Sequence, residues 1–275
     1  MDIKGIVFIC EAGRSCEGSS MIVASLASTF GAELVGLCHV AEPVVTTAEC
    51  YAVGSAMESV ITEVDHRVAT RVERARTSFL SAVQDRTFKS EWRVSQIGEE
   101  LPHLARRARG FDLAVVQRDA GRGNLLAKLV SMQSGTPCLV VPESAPFLAT
   151  PERMLVAWDG SREAARAVTD AMPFLKRSEQ VRLIRVVRKS DDAEDFDGDG
   201  EIVQHLRRHG IVADLRRIQD PAADTASVLI DQATVFDADL IVMGAYGRSP
   251  MVEHVFGGVT RGLLTRGSFP VLLSH

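Results

Sequence analysis

The chain has 275 residues, of which 46% are hydrophobic and 24% charged, and its formal net charge is −5. This composition is typical of a globular protein, and the length is sufficient for two domains of ordinary size. Residues 1–150 carry 15 basic and 17 acidic side chains. Neither half therefore has the basic surplus that binding to a nucleic-acid backbone requires.

The first residues, MDIKGIVFICEAGRSC, predict a β-strand followed by a turn. A secretion signal would need a basic segment, a longer apolar run and a small-residue cleavage site. No apolar run in the chain approaches the roughly 18 residues of a membrane-spanning helix. We therefore expect a cytoplasmic protein that interacts with neither membranes nor nucleic acids.

Both halves of the chain repeat one order of elements, in which apolar runs of strand length alternate with helix-like stretches. FDLAVVQRD (111–119) matches ADLIVMGAY (238–246), and GTPCLVVPE (135–143) matches GSFPVLLSH (267–275). The predicted strands lie near 3–10, 33–40, 91–97, 112–117 and 137–141, and near 153–158, 181–187, 212–218, 239–243 and 270–274. Residues 51–88 predict one or two long helices.

Continuous apolar strands that alternate with amphipathic helices indicate parallel sheets covered on both faces. We therefore predict an α/β fold of two tandem open parallel five-stranded sheets with helices on both faces, which is Rossmann-like. The segment ESAPFLATPER (143–153) holds two prolines and is the natural linker. It divides the chain into domains 1–146 and 147–275.

Five cysteines occur, all in the first half and none in a C-x-x-C pair. The odd number and the spacing argue against a disulfide framework and against a structural zinc site. Cys10, Cys38 and Cys138 are expected to be small buried residues of strands. Cys16 lies in a polar turn, and its thiol is either equally inert or reactive.

Glycines flank the loop that follows the strand near 239–243. Gly244 and Gly247 come directly after this strand, and Gly257 and Gly258 precede a helix that should begin at about residue 259. In parallel α/β sheets ligands bind beyond the carboxyl ends of the strands, and unpaired amides at a helix start bind phosphate. The pattern favours a phosphate site, although glycines that merely turn the loop and cap the helix remain an alternative.

A second candidate feature is VAWDGSREAARAV, which opens the second half. Ser161 is a plausible N-cap of the helix that follows. Asp159 either helps to cap this helix or accepts hydrogen bonds from a ribose or a base, and the sequence leaves both roles open.

These motifs resemble the universal stress protein family, whose signature is Gly, two residues, Gly, nine residues, Gly, then Ser or Thr. The spacing here matches through Gly244, Gly247 and Gly257, but Gly258 stands where the family has a hydroxyl residue. The resemblance spans the chain as two tandem copies, strong in the second and weak in the first. It implies a fold of the adenine nucleotide alpha hydrolase-like class.

The resemblance also implies a stress-response module that binds ATP in the second domain, with Mg²⁺ as a possible companion and no committed catalytic residues. The alternatives are a scaffold without a nucleotide site and a weak ATPase or other hydrolase. In the family pattern Asp159 and Val186 contact the nucleoside, and Met243 lines the base pocket. The phosphate-binding positions would be Gly160, Ser161, Gly244, Gly247, Gly257, Gly258, Val259 and Thr260. The missing hydroxyl at Gly258 should weaken phosphate binding by about 0.5–1.5 kcal/mol.

The first half departs from the family pattern, and we expect it not to bind ATP. Gln117 and Ala120 stand where Gly244 and Gly247 are expected, and Asn124 and Leu125 replace the later glycine pair. Its role would be packing, pairing or binding of another ligand. Because members of this family pair through their last strands, we predict contact between 137–141 and 270–274, an intramolecular pseudo-dimer. A homodimer of whole chains is a further possibility.

Two metal-like patterns are interpreted as solvated surface. DFDGDG (195–200) begins like a calcium loop, but its twelfth position is Leu206, where such loops have Glu. His205 and His209 lie one helical turn apart, but no third ligand is evident. Tyr246 and His254 flank the glycine loop without an assigned role.

Overall fold

The computed structural model describes residues 2–41, 55–119, 124–142, 150–187, 198–219, 224–245 and 258–275. The elements of the first half are β1 (Gly5–Glu11), α1 (Glu17–Phe30), β2 (Glu33–His39), α2 (Ser55–Val83), β3 (Ser90–Val94), α3 (Leu101–Arg106), a 3-10 turn (Arg107–Gly110), β4 (Leu113–Gln117), α4 (Leu125–Gln133) and β5 (Cys138–Val141). Those of the second are β6 (Arg153–Ala157), α5 (Arg162–Leu175), β7 (Gln180–Val187), α6 (Gly198–Arg208), β8 (Ala213–Gln219), α7 (Thr225–Phe236), β9 (Leu240–Gly244), α8 (Gly258–Arg266) and β10 (Val271–Ser274).

The ten strands form one sheet in the order β3-β2-β1-β4-β5-β10-β9-β6-β7-β8. Each half is parallel, as predicted, and all ten predicted strands are present. The halves meet where β5 and β10 pair antiparallel, with Val271 opposite Val140 and Leu273 opposite Cys138. The predicted contact between 137–141 and 270–274 is therefore present, and it fuses the two expected five-stranded sheets into one.

Helices cover both faces of this sheet because its central strands are apolar on both sides. One apolar layer lies under α1, α2, α5 and α6, and the other under α3, α4, α7 and α8. The first layer crosses between the halves, since Phe30 of α1 meets Phe174 of α5 edge to face with ring centroids 5.2 Å apart. Of the helices that the structure describes, none is long and apolar enough to cross a membrane.

Polar contacts also join the halves beside the β5–β10 pair. The Arg118 guanidinium, just beyond β4, donates to the carbonyl oxygens of Gly267 and Phe269 in the α8–β10 connection. Burial lowers the pKa of Arg118, as expected when a cation leaves water. The end of α8 is therefore anchored to the first half.

Candidate functional site

The second half has its topological switch point between β6 and β9. The chain proceeds from β6 to β7 and β8 on one side, and then returns to β9 and β10 on the other. Ligands of open α/β sheets bind at the carboxyl rim beside such a point. Ala157 lies opposite Met243 in the paired strands, so β6 and β9 end side by side. The residues that follow these two strands are those that the sequence singles out.

A tight turn connects β6 to α5. Gly160 has φ +76°, a conformation that favours glycine. The exposed Asp159 accepts hydrogen bonds at Oδ1 from the Ser161 amide, at 3.0 Å, and from the Ser161 hydroxyl, at 2.6 Å. The Ser161 hydroxyl in turn accepts from the Ala164 amide at 3.2 Å, which is the predicted N-cap. Asp159 therefore does orient the cap, while its carboxylate stays at the surface.

An apolar floor lies below this turn. Met243, Ala157 and Ile184 are neighbours across β9, β6 and β7. Met243 is only 5% exposed and belongs to the layer under α7 and α8. Val186 is two residues beyond Ile184 and thus on the same face, and it is half-buried against the same layer. These residues form an apolar surface near the carboxyl ends of β6, β7 and β9, and Asp159 follows Ala157 by two residues.

Gly244 is required for a reason that the sequence did not reveal. A β-carbon there would lie 2.6 Å from the Ala164 nitrogen and from the Glu163 carbonyl carbon. Gly244 therefore allows the first turn of α5 to pack closely against β9. On the side where a β-carbon would lie, the protein and not a ligand fills the space. The next amide, of Ala245, donates to Ser274 O at 2.7 Å.

The structure describes α8 from Gly258 onward, close to the predicted start at about residue 259. Among the described residues, no atom lies within 4 Å of the position that a β-carbon would take at Gly258. Val259 is half-buried, and Thr260 is only 2% exposed, so the position of Thr260 gives no support to a hydroxyl contact with phosphate. Gly247 and Gly257 lie outside the described residues, as do Tyr246 and His254.

Asp199 is a feature that sequence reasoning missed. The interpretation of the 195–200 segment as solvated is wrong at this residue, which is 2% exposed. Its carboxylate accepts from the Trp158 indole at 3.1 Å, from Arg185 at 2.6 Å and from Arg217 at 2.8 Å. A buried carboxylate needs such partners. The signal available in the sequence was the pair of arginines, which are register partners on β7 and β8.

A cleft of about 500 Å³ lies between the β6–α5 turn and α6. It is lined by Trp158, Gly160, Gly198, Glu201, Ile202, His205 and Arg208. The pKa of His205 is lowered by partial burial and by the positive charges of His209 and Arg208. No group of three metal-ligating side chains occurs among the residues that the structure describes.

Two polar side chains at the rim of the first half make hydrogen bonds within the protein. Gln117, which occupies the place of Gly244, donates its amide to Ser15 O at 2.6 Å and to the Ser19 hydroxyl at 3.1 Å. Asn124 accepts from the Asp119 amide at 2.8 Å and so closes the short loop before α4. Gln117 and Asn124 thus use these polar groups in contacts within the first half. Ala120 lies outside the described residues.

Comparisons with known proteins agree with this architecture. Residues 151–275 match the model of the universal stress protein family. A universal stress protein from Archaeoglobus fulgidus DSM 4304 is similar in structure, with a TM-score of 0.70, 16% identity, and coverage of 98% of this chain and 95% of that one. A Pseudomonas aeruginosa UCBPP-PA14 protein, provisionally described as a universal stress protein, has a TM-score of 0.60, 15% identity, and coverage of 99% and 93%. No curated protein matches. Residues 151–275 thus match the universal stress protein family, and the two halves of the chain together have the tandem fold of the Archaeoglobus protein.

Proposed function

We propose that the second half binds an adenine nucleotide, ATP, at the rim formed by β6, β7 and β9, and acts as a stress-response module. The observation that carries this proposal is the space at Gly258, where no atom of the described residues lies within 4 Å of a β-carbon position, on the helix that follows the switch-point strand β9. Unpaired amides and the positive end of the helix dipole favour a phosphate there.

The remaining residues suit the rest of a nucleotide. The exposed Asp159 carboxylate would accept from ribose hydroxyls or a base, since an ionised carboxylate can accept several hydrogen bonds. Val186 and the Met243 floor supply apolar contact for the base. The backbone of Gly160 and Ser161 and the segment from Gly244 to Thr260, Gly247 and Gly257 included, would surround the phosphates. Mg²⁺ would accompany ATP through phosphate oxygens and retained waters.

In this proposal the first domain, 1–146, completes an intramolecular pseudo-dimer with the second, 147–275, and does not bind ATP itself. The support is the β5–β10 pair together with the hydrogen bonds that Gln117, in the place of Gly244, makes within the first half. A universal stress protein that binds ATP and has no assigned catalytic side chain would work as a sensor that changes partner contacts.

The test is to measure nucleotide in the purified protein. Mass spectrometry after denaturation should find a co-purified adenine nucleotide, and titration with ATP should raise the melting temperature of the stripped protein. Asp159→Asn should weaken ATP binding, because it removes the charge while keeping the size. Asp214→Asn is the matched control, since Asp214 is an exposed carboxylate near the opposite, amino end of β8.

If the protein carries no nucleotide and shows no thermal shift at millimolar ATP, the scaffold alternative replaces this proposal. ATP turnover that disappears in the Asp159→Asn variant would instead favour the hydrolase alternative.

A further inference from the structure

A buried polar cluster ties three adjacent strands of the second half to the first turn of α6. Its centre is the carboxylate of Asp199, the second residue of that helix. Oδ1 accepts from the Trp158 indole, on the residue that follows β6, and from Arg185 on β7. Oδ2 accepts from Arg217, the register partner of Arg185 on β8. Both carboxylate oxygens are therefore used, and three strand ends share one anchor.

Two members of this cluster come directly before residues of the proposed nucleotide site. Trp158 is followed by Asp159, and Arg185 is followed by Val186. Trp158 belongs to the apolar layer on the α6 side of the sheet, whereas Val186 contacts the opposite layer. Because successive residues of a strand point to opposite faces, Arg185 projects to the α6 side as well. The cluster thus holds, from the α6 side, the two stretches of backbone that carry Asp159 and Val186.

Trp158 is fixed through both its backbone and its side chain. Its amide donates to Ile184 O at 2.9 Å, and its indole donates to Asp199 at 3.1 Å. Trp158 is 6% exposed and Asp199 is 2% exposed. Water cannot easily replace hydrogen bonds to a carboxylate that is buried in this way, so their loss is costly. The direction in which the chain leaves β6 therefore depends on Asp199.

We infer that Asp199 is a positioning residue of the nucleotide site, an inference that rests on the proposed function. Asp199 does not touch the base or the ribose. It acts through Trp158 and Arg185, and it keeps Asp159 and Val186 in place before the nucleotide arrives. A site that is already ordered loses less conformational entropy on binding, and its affinity is higher for that reason.

Electrostatics alone would give removal of this carboxylate the opposite effect. Asp199→Asn leaves the guanidiniums of Arg185 and Arg217 without their anion, and the added positive charge would attract the phosphates of a nucleotide. A positioning role predicts a lower affinity instead. An amide has one accepting oxygen, so its nitrogen would face one of the donors that the carboxylate now satisfies, and the cluster would loosen. The sign of the change in ATP affinity therefore separates the two effects.

The first measurement is hydrogen exchange, followed by mass spectrometry, on the full-length protein without nucleotide. Asp199→Asn should speed exchange of the amides in 158–161 and in 184–187, because both stretches lose their anchor. Trp158→Phe removes the indole donor but leaves Asp199 its two arginines, and should speed exchange in 158–161 alone.

Asp170→Asn is the matched control. The Asp170 side chain is 6% exposed and accepts from Arg166 at 2.9 Å within α5, more than two helical turns beyond the Ser161 cap. The variant changes the net charge by the same amount and also breaks an ion pair of a largely buried carboxylate. It should leave exchange in 158–161 and 184–187 as in the wild type.

The second measurement is the Kd for ATP by isothermal titration calorimetry. Asp199→Asn should raise the Kd roughly three- to tenfold, the effect of releasing one or two ordered side chains. Trp158→Phe should raise it less, and Asp170→Asn should not raise it. The inference is overturned if exchange in the two stretches is the same in Asp199→Asn and Asp170→Asn. It is also overturned if the wild type binds ATP and Asp199→Asn binds it equally well or more tightly.

Failure of the proposed function would give a different result. A wild-type protein that binds no ATP defeats the nucleotide proposal and, with it, the effect of Asp199 on affinity. Exchange in 158–161 and 184–187 would then still decide whether Asp199 holds this part of the rim.

Discussion

Restoring the hydroxyl that the family has at position 258 should strengthen nucleotide binding. Gly258 is exposed, its φ lies outside the left-handed region, and a β-carbon would meet no atom of the described part of the chain within 4 Å. Gly258→Ser therefore introduces its hydroxyl without a clash. One hydrogen bond to a phosphate contributes about 0.5–1.5 kcal/mol, which corresponds to a roughly two- to tenfold lower Kd for ATP.

Gly258→Ala is the comparison that isolates this effect. Both variants add a β-carbon at the first residue of α8, so both change helix propensity in the same direction. Isothermal titration calorimetry with ATP should give the serine variant a lower Kd than the wild type and the alanine variant. Equal Kd values for the serine and alanine variants would refute the placement of phosphate at this helix start.

Three other variants test the structure. Gly244→Ala should lower the free energy of unfolding by about 1–3 kcal/mol in urea denaturation, because its β-carbon overlaps the first turn of α5; an unchanged midpoint would contradict that contact. Asp199→Asn should lower the free energy of unfolding by about 2–4 kcal/mol. This is less than the loss expected on breaking a fully buried ion pair, because the partner Arg217 is half-exposed. Asp214→Asn, at an exposed position, should change the free energy of unfolding little. Arg266, and then the Ser227 hydroxyl, hold the pKa of the exposed Asp224 well below its usual range. The stability that Asp224 adds is therefore present above about pH 4, its unfolded pKa, and is lost as pH falls through the lower folded pKa. The difference in melting temperature between wild type and Asp224→Asn should be constant from pH 7 to about pH 5 and shrink below pH 4.

Most of the central strands were predictable because they are continuous apolar runs, and such runs form strands buried on both faces. The position of α8 and the capping role of Ser161 were also predictable, because each depends only on residues a few positions away in the chain.

Contacts between distant segments were not predictable in this way. Asp199 looked solvated because its partners Arg185 and Arg217 are 14 and 18 residues away. Gly244 looked like a ligand contact because the helix that packs over it begins at Arg162, far earlier in the chain. The sequence pattern suggested which residues gather at the rim, but not which of them the protein itself occupies.

Fusion of the two halves through β5 and β10 leaves β3 and β8 as the outermost strands of the ten-stranded sheet. Both strands carry paired charged side chains. Glu91 forms a salt bridge with Arg93 on β3, and Asp214 forms one with Arg216 on β8. Unpaired strand margins invite stacking of further chains, and charged side chains discourage it. The apolar strands β5 and β10 thus pair with each other inside the molecule. The strands left at the two edges of the sheet, β3 and β8, carry charged side chains that disfavour pairing with another chain.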